Sequence, residues 1–194
     1  MKNMIKSFFD ELAYTWDDDE SCPTEKMEAL LSKIGIKEGD KVLDIACGTG
    51  VATSFLHKLS NTEFTGIYLS SKMIEVARLK FHNAQYATFI EGDFLLSNFE
   101  YFFDVAVIYN AYPHFLEPHL LANKLKSVLH PKGKFAIVHS LSKEERKAHH
   151  FNKASDVSRN LLSPIEEFKS FEQYFNLIYY EDNNEQYMII GELK

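Results

Sequence analysis

Apolar and polar positions alternate along this chain in two rhythms. In "EKMEALLSKIG", Met27, Leu30, Leu31 and Ile34 fall on one stripe at helical spacing, and Gly35 is placed to end the helix. The following "KVLDIA" is a short, mainly apolar stretch, the pattern of a strand buried on both faces. This pair of signals then repeats. Gly50 to Leu59 predicts a helix, "EFTGIYL" a second strand, and "KMIEVARLKF" a helix that Ser70 or Ser71 can cap. "YATFIEG" and "FFDVAVIYN" predict a third and a fourth strand. Glu117 to Leu129 predicts a helix with Leu121, Leu125, Val128 and Leu129 inward, and "HPKGKFAIVHSL" a turn into a fifth strand. Strand–helix alternation of this kind predicts a doubly wound α/β fold with a mostly parallel sheet.

The last third changes character. Lys143 to Asn152 reads as a charged helix. In "SPIEEF", Ser163 is an N-cap, Pro164 the first helical residue and Glu166 the third, which makes a capping box. "YFNLIYYED" and "EQYMIIGEL" predict two strands around Asn183 and Asn184, residues that tolerate positive φ in a hairpin. The expected sheet therefore has seven strands and ends in an antiparallel pair. One domain over 1–194 is expected: a lid or cap segment at 1–22, a core at 23–141, and C-terminal helices and hairpin at 142–194. The first segment is amphipathic and aromatic, and can either cap a pocket or pack on the sheet edge.

Composition narrows the class. The chain has 194 residues, 45% apolar and 25% charged, enough for one well-cored globular domain. No apolar run approaches the length of a bilayer span, and the N-terminus lacks the pattern of a signal peptide. Two cysteines, Cys22 and Cys47, form no disulfide framework and fit a reducing, cytoplasmic setting. The formal net charge is −7, and the longest charge run, Asp17 to Glu20, is acidic, which disfavours nucleic acid as a partner.

The chemistry concentrates in "DIACGTG", Asp44 to Gly50, a glycine turn directly after a strand. A phosphate-binding P-loop would end in Gly-Lys-Ser/Thr, whereas Gly50 is followed by Val51 and Ala52. A dinucleotide site would space its glycines as Gly-x-Gly-x-x-Gly. Here Asp44 at the strand end would repel a pyrophosphate and suit a ligand that carries an ammonium group. A plain tight turn would show the same glycines.

Four further stretches follow "VLDIACGTG": "GIYLSSKMIEVAR", "IEGDF", "FFDVAVIYNAYPHF" and "LHPKGKFAIVH". In order and spacing the five resemble the motifs of the class I S-adenosylmethionine-dependent methyltransferases, over roughly Glu25 to His139. The resemblance implies a Rossmann-like methyltransferase fold, S-adenosylmethionine as cofactor and methyl transfer; the acidic charge makes a small molecule the expected acceptor, and no metal is expected. It implies that Ala46, Cys47, Gly48 and Gly50 lie against the methionine portion and that Asp44 serves its ammonium. It implies that Asp93, after Gly92, accepts from the adenine amino group, with Phe94, Leu69 and Met73 as adenine walls. Asn110, Ala111 and Tyr112 should lie beside the sulfonium, and Tyr14 and Trp16 could fold over the cofactor.

His114 and His139 are the candidate general bases, needed only if the acceptor must lose a proton. A metal site built from His114, His139 and His149 fits no compact zinc spacing. One departure stands out. The family carries an acid at the end of the second strand for the ribose hydroxyls, and this chain has Tyr68 there. That feature supports an alternative: a protein that binds S-adenosylmethionine or S-adenosylhomocysteine without catalysing transfer.

Overall fold

The computed structural model describes residues 2–18, 24–140 and 158–194. Its strands are β1 (Val42–Ile45), β2 (Phe64–Tyr68), β3 (Ala87–Glu91), β4 (Phe103–Tyr109), β5 (Leu129–His139), β6 (Phe175–Asp182) and β7 (Tyr187–Leu193). They make a seven-stranded sheet in the order β3-β2-β1-β4-β5-β7-β6. The helices are α1 (Lys2–Leu12), α2 (Thr24–Ser32), α3 (Thr53–Ser60), α4 (Ser71–Lys80), α5 (Pro118–Val128) and α6 (Pro164–Phe168). The expected mixed α/β architecture is present, with its C-terminal antiparallel hairpin. Two compact units make up the chain, Met1–Glu100 and Tyr101–Lys194.

In the first unit β1, β2 and β3 run parallel, with Asp44 level with Gly66 and Tyr68 level with Glu91. Every residue of β1 and β2 is buried, Asp44 and Thr65 among them, as expected of strands covered on both faces, whereas β3 buries only Phe89. Helix α2 buries Met27, Leu30 and Leu31 and stops at Ser32, and Gly35 follows with φ 72°. Ser70, rather than Ser71, caps α4: its Oγ accepts from Met73 N at 3.1 Å. Helix α3 begins at Thr53, three residues later than its sequence pattern suggests. Gly50 has φ 79°, a left-handed conformation that cannot join a right-handed helix. Helix α1 buries Ile5 and Phe9, and Ala13 of the 3₁₀ turn Ala13–Asp18 continues that face.

In the second unit β4 and β5 pair in parallel, and β7 pairs antiparallel with both β5 and β6. Strand β5 starts at Leu129, inside the stretch expected to be a turn. The turn signal survives as an irregularity: Lys132 has φ 66°, and the register with β4 shifts between Phe103 and Val105. Phe135, Phe171 and Phe175 form an aromatic core, with ring centroids of Phe135 4.7 Å from Phe171 and 4.9 Å from Phe175. The capping box at α6 is complete, with Glu166 N donating to Ser163 Oγ and Ser163 N to Glu166 Oε2. The hairpin turn differs from its expectation. Neither Asn183 nor Asn184 has positive φ. Instead Asn183 Oδ1 accepts from Glu185 N at 2.8 Å and Gln186 N at 3.0 Å, so a side chain closes the turn. The charged helix expected over Lys143 to Asn152 lies outside the described residues, as do His149 and Cys22. Among the described residues no helix is long and apolar enough to cross a membrane.

Candidate functional site

The glycine turn leaves the end of β1 through three left-handed conformations. Ala46, Gly48 and Gly50 have φ of 61°, 57° and 79°, and Ala46 N and Cys47 N both donate to Ile67 O of β2. A Cβ at Gly48 would meet only Trp16 Nε1, at 4.0 Å, so space is open in front of this residue. A Cβ at Gly50 would lie 2.8 Å from Phe81 Cε2 and 3.0 Å from Thr53 Oγ1. Gly48 thus faces a gap and Gly50 faces packed protein.

Asp44 lies beneath the turn, 2% exposed. Its Oδ1 has no hydrogen-bond partner. Burial pushes its carboxyl up to about 8, because the charged form has lost its water and gained no donor in return. Cys47 is 6% exposed. Burial, and then the Asp44 charge, push its thiol well above its usual range, so it is an unreactive side chain rather than a nucleophile.

Tyr68 ends β2 and is 9% exposed. Its ring meets Phe9 of α1 edge-to-face at 5.6 Å, and Phe9 meets Trp16 at 5.5 Å. The Tyr68 phenol is pushed well up, by burial first and then by the negative character of Cys47 and Asp10. Leu69 is half-buried, and its carbonyl accepts from Lys6 Nζ at 3.3 Å; Met73 is fully buried in α4.

The N-terminal segment is fastened at both ends of α4. At its start, Asp10 Oδ1 accepts from Ser70 Oγ at 2.5 Å and from Lys72 N at 3.2 Å. At its end, Lys80 Nζ lies 2.5 Å from Asp17 Oδ2, and Asp17 Oδ1 accepts from Thr49 Oγ1 of the glycine turn at 2.5 Å. Trp16 therefore sits over the turn, while Tyr14, 61% exposed, lies on the outside of α4 with its hydroxyl on Glu75 Oε1. None of these acidic partners was singled out by the sequence. Their contacts bridge tens of residues, and only the apolar stripe of α1 hinted that the segment would pack.

After β3, Gly92 N donates to Tyr68 O at 2.9 Å, which holds the third strand end against the second. Asp93 Oδ1 accepts from Leu95 N at 3.0 Å and shapes the turn. Phe94 is 4% exposed, 6.2 Å from Phe99 in a tilted contact.

In the second unit, Asn110 at the end of β4 has φ 54°. Its Oδ1 accepts from Ser140 N at 2.9 Å, and its Nδ2 donates to Ser140 Oγ at 3.0 Å, which ties the ends of β4 and β5 together. Ala111 is 7% exposed. The Tyr112 side chain is fully buried; its hydroxyl donates to Glu167 Oε2 at 2.8 Å, and the Arg159 guanidinium lies over its ring at 4.6 Å. That side chain is committed to the interior of the unit, which leaves the backbone of residue 112 for any ligand. Arg159 also reaches Glu167 through two bonds, at 2.6 and 2.9 Å, and its Nε donates to Phe115 O. His114 is half-buried at the end of the 3₁₀ turn Tyr112–His114. His139 is 2% exposed and lies edge-to-face with Tyr187 at 6.0 Å. Among the described residues no group of three or more His, Cys, Asp and Glu could hold a metal ion.

Comparison with known proteins matches residues 36–188 to a family described as "Methyltransferase domain". Ribosomal protein L11 methyltransferase of Thermotoga petrophila is 31% identical over 85 residues, covering 44% of this chain and 32% of the relative. O-methyltransferase cnsE of Penicillium expansum is 26% identical over 137 residues, covering 66% of this chain and 50% of the relative. The chain thus spans half or less of the length of these curated relatives. A chain in the solved complex between the Haloferax volcanii Trm112 methyltransferase activator and a methyltransferase superposes with a TM-score of 0.81. At 17% identity, over 97% of this chain and 96% of that one, it shows a shared fold.

Proposed function

Because the chain belongs to the methyltransferase-domain family, within the class I S-adenosylmethionine-dependent methyltransferases, we propose that it transfers a methyl group from that cofactor to a small-molecule acceptor. The observation that carries this reading is Asp44: a buried carboxylate oxygen without a partner, directly below a turn whose Gly48 faces open space. Burying a charge without a partner is costly, and a cationic ligand group would relieve the cost. The residues present fit the cofactor on this ground, since its ammonium can meet Asp44 while its methionine chain runs along the glycine backbone.

In this reading Asp44 holds the ammonium, Ala46 to Gly50 line the methionine portion, and Asp93 with Phe94 takes the adenine. Trp16 covers the turn and keeps water out. When bound, S-adenosylmethionine supplies a methyl group on a cationic sulfur, already activated for in-line displacement. The protein then has chiefly to align the acceptor. His114, half-buried beyond the end of β4, is the group we assign to take a proton from an acceptor that must lose one; His139 is deeper and closed in by Tyr187. The net charge of −7 supports a small acceptor over a polyphosphate one, and the cysteine usage supports a cytoplasmic setting. Tyr68, in place of a ribose-binding acid, favours a second reading, cofactor binding without transfer.

Calorimetric titration with S-adenosylmethionine, S-adenosylhomocysteine and NADH tests the class. Binding of both adenosyl ligands and not of NADH is the expected result. Binding of NADH alone would remove the methyltransferase reading.

A further inference from the structure

In nucleotide-binding α/β sheets, the ribose hydroxyls are met by a carboxylate near the end of the second strand, about twenty residues beyond the glycine turn. This chain has a phenol at that position, yet a carboxylate arrives there by another route. Helix α1 buries Phe9 against Tyr68, and the next residue, Asp10, is thereby brought to the start of α4. Ser70 Oγ and Lys72 N both donate to Asp10 Oδ1, which fixes the orientation of the carboxylate. Its Oδ2 makes a long ion pair with Lys6 Nζ at 4.0 Å, with no hydrogen bond, and the side chain keeps 26% exposure. The Asp10 charge reaches the phenol of Tyr68, a side chain only 9% exposed, and helps to push it up. An orphaned oxygen, Asp44 Oδ1, lies in the adjacent strand β1, near its end.

We propose that Asp10, together with the Tyr68 hydroxyl, holds the two ribose hydroxyls of the adenosyl ligand. This rests on the adenosyl-binding reading above. The carboxylate accepts from one hydroxyl through Oδ2, and the phenol, which can donate or accept, engages the other. A competing acid is Glu91, level with Tyr68 on β3. It is one strand further from the glycine turn, 50% exposed, and paired with Lys6 at 3.1 Å. The ribose-binding acid is then not lost but supplied by the N-terminal segment, so ribose recognition and closure of that segment over the turn become one event.

Titration with S-adenosylhomocysteine and with its 2′,3′-dideoxyribosyl analogue separates this role from a structural one. The wild-type protein should bind the dideoxy analogue about tenfold to a hundredfold more weakly, the scale of hydrogen bonds to a charged group. Asp10→Asn should lose about as much for S-adenosylhomocysteine and change little for the analogue. Tyr68→Phe, which keeps the ring on Phe9, should show the same selectivity with a smaller loss. Glu91→Gln should leave both affinities alone. If Asp10→Asn and Tyr68→Phe weaken both ligands equally, or wild type binds both ligands equally, the assignment is overturned while the adenosyl reading stands. If the wild-type protein binds neither adenosyl ligand, the parent reading fails and this role with it.

Discussion

At the scale of single residues, Asp44 makes the sharpest claim. Its folded carboxyl is raised from 3.8 to about 8 by burial, so the folded protein retains a proton that the unfolded chain releases. Stability contributed by that protonated form is fully present below the unfolded value and is lost as pH rises through the folded one. Asp44→Asn removes this dependence. We expect the variant to be more stable than wild type at pH 8 by about 1–3 kcal/mol, the cost of a buried unsatisfied group. Thermal unfolding at pH 5 and pH 8 checks this; a wild-type protein whose stability relative to the variant does not fall between the two would contradict it. The two glycines of the turn should separate ligand contact from folding. Gly48→Val points its side chain into open space, with a left-handed backbone strain of about 1–3 kcal/mol as its only cost, so it should block S-adenosylhomocysteine while circular dichroism stays native. Gly50→Ala meets Phe81 and Thr53 at a positive φ and should destabilise the fold by about 1–3 kcal/mol. Reversed outcomes would mean that Gly48, not Gly50, is the structural glycine.

At the scale of elements, α6 offers two tests. Ser163→Ala removes the N-cap hydroxyl from a complete capping box and should cost about 1 kcal/mol in denaturant unfolding. Glu167, 2% exposed, is a different matter. Burial alone would raise its carboxyl, but the bonds from Arg159, Leu162 N and Tyr112 outweigh that and hold it below the usual range. Its contribution is therefore present above the unfolded carboxyl value and lost as pH falls through the lower folded one. Glu167→Ala should cost about 3–5 kcal/mol by leaving Arg159 without its buried partner, and a cost below 1 kcal/mol would refute the network. The contrast between these residues shows what the sequence reveals at this level. The capping box, the Ser70 cap and the buried strands are written in runs of neighbouring residues, and they are legible. The start of α3 is not legible, because periodicity carries no sign of φ at Gly50. The hairpin was placed correctly, but its turn chemistry was not, because Asn183 closes it with a side chain. Asp10 on Ser70, Asp17 on Thr49 and Arg159 on Glu167 depend on tertiary approach, and no local pattern announces them.

At the scale of the molecule, the glycine turn, the buried acid before it and the ends of β2 and β3 all belong to the first unit and are its proposed binding surface, with α1 and its 3₁₀ turn fastened across α4. The ordered motifs made the fold and the family legible because they span the whole β1 to β5 stretch. The acceptor stayed illegible because no such motif encodes it. The central claim is that this surface binds an adenosyl ligand whose ammonium discharges the buried Asp44 proton. Calorimetric titration of the wild-type protein with S-adenosylhomocysteine, at pH 6 and pH 8 and in two buffers of different ionisation enthalpy, tests it most directly. The account predicts one site, release of close to one proton per ligand at pH 6, and affinity that tightens by roughly tenfold or more by pH 8. Absence of binding, or binding with no proton release and no change between the two pH values, would contradict it.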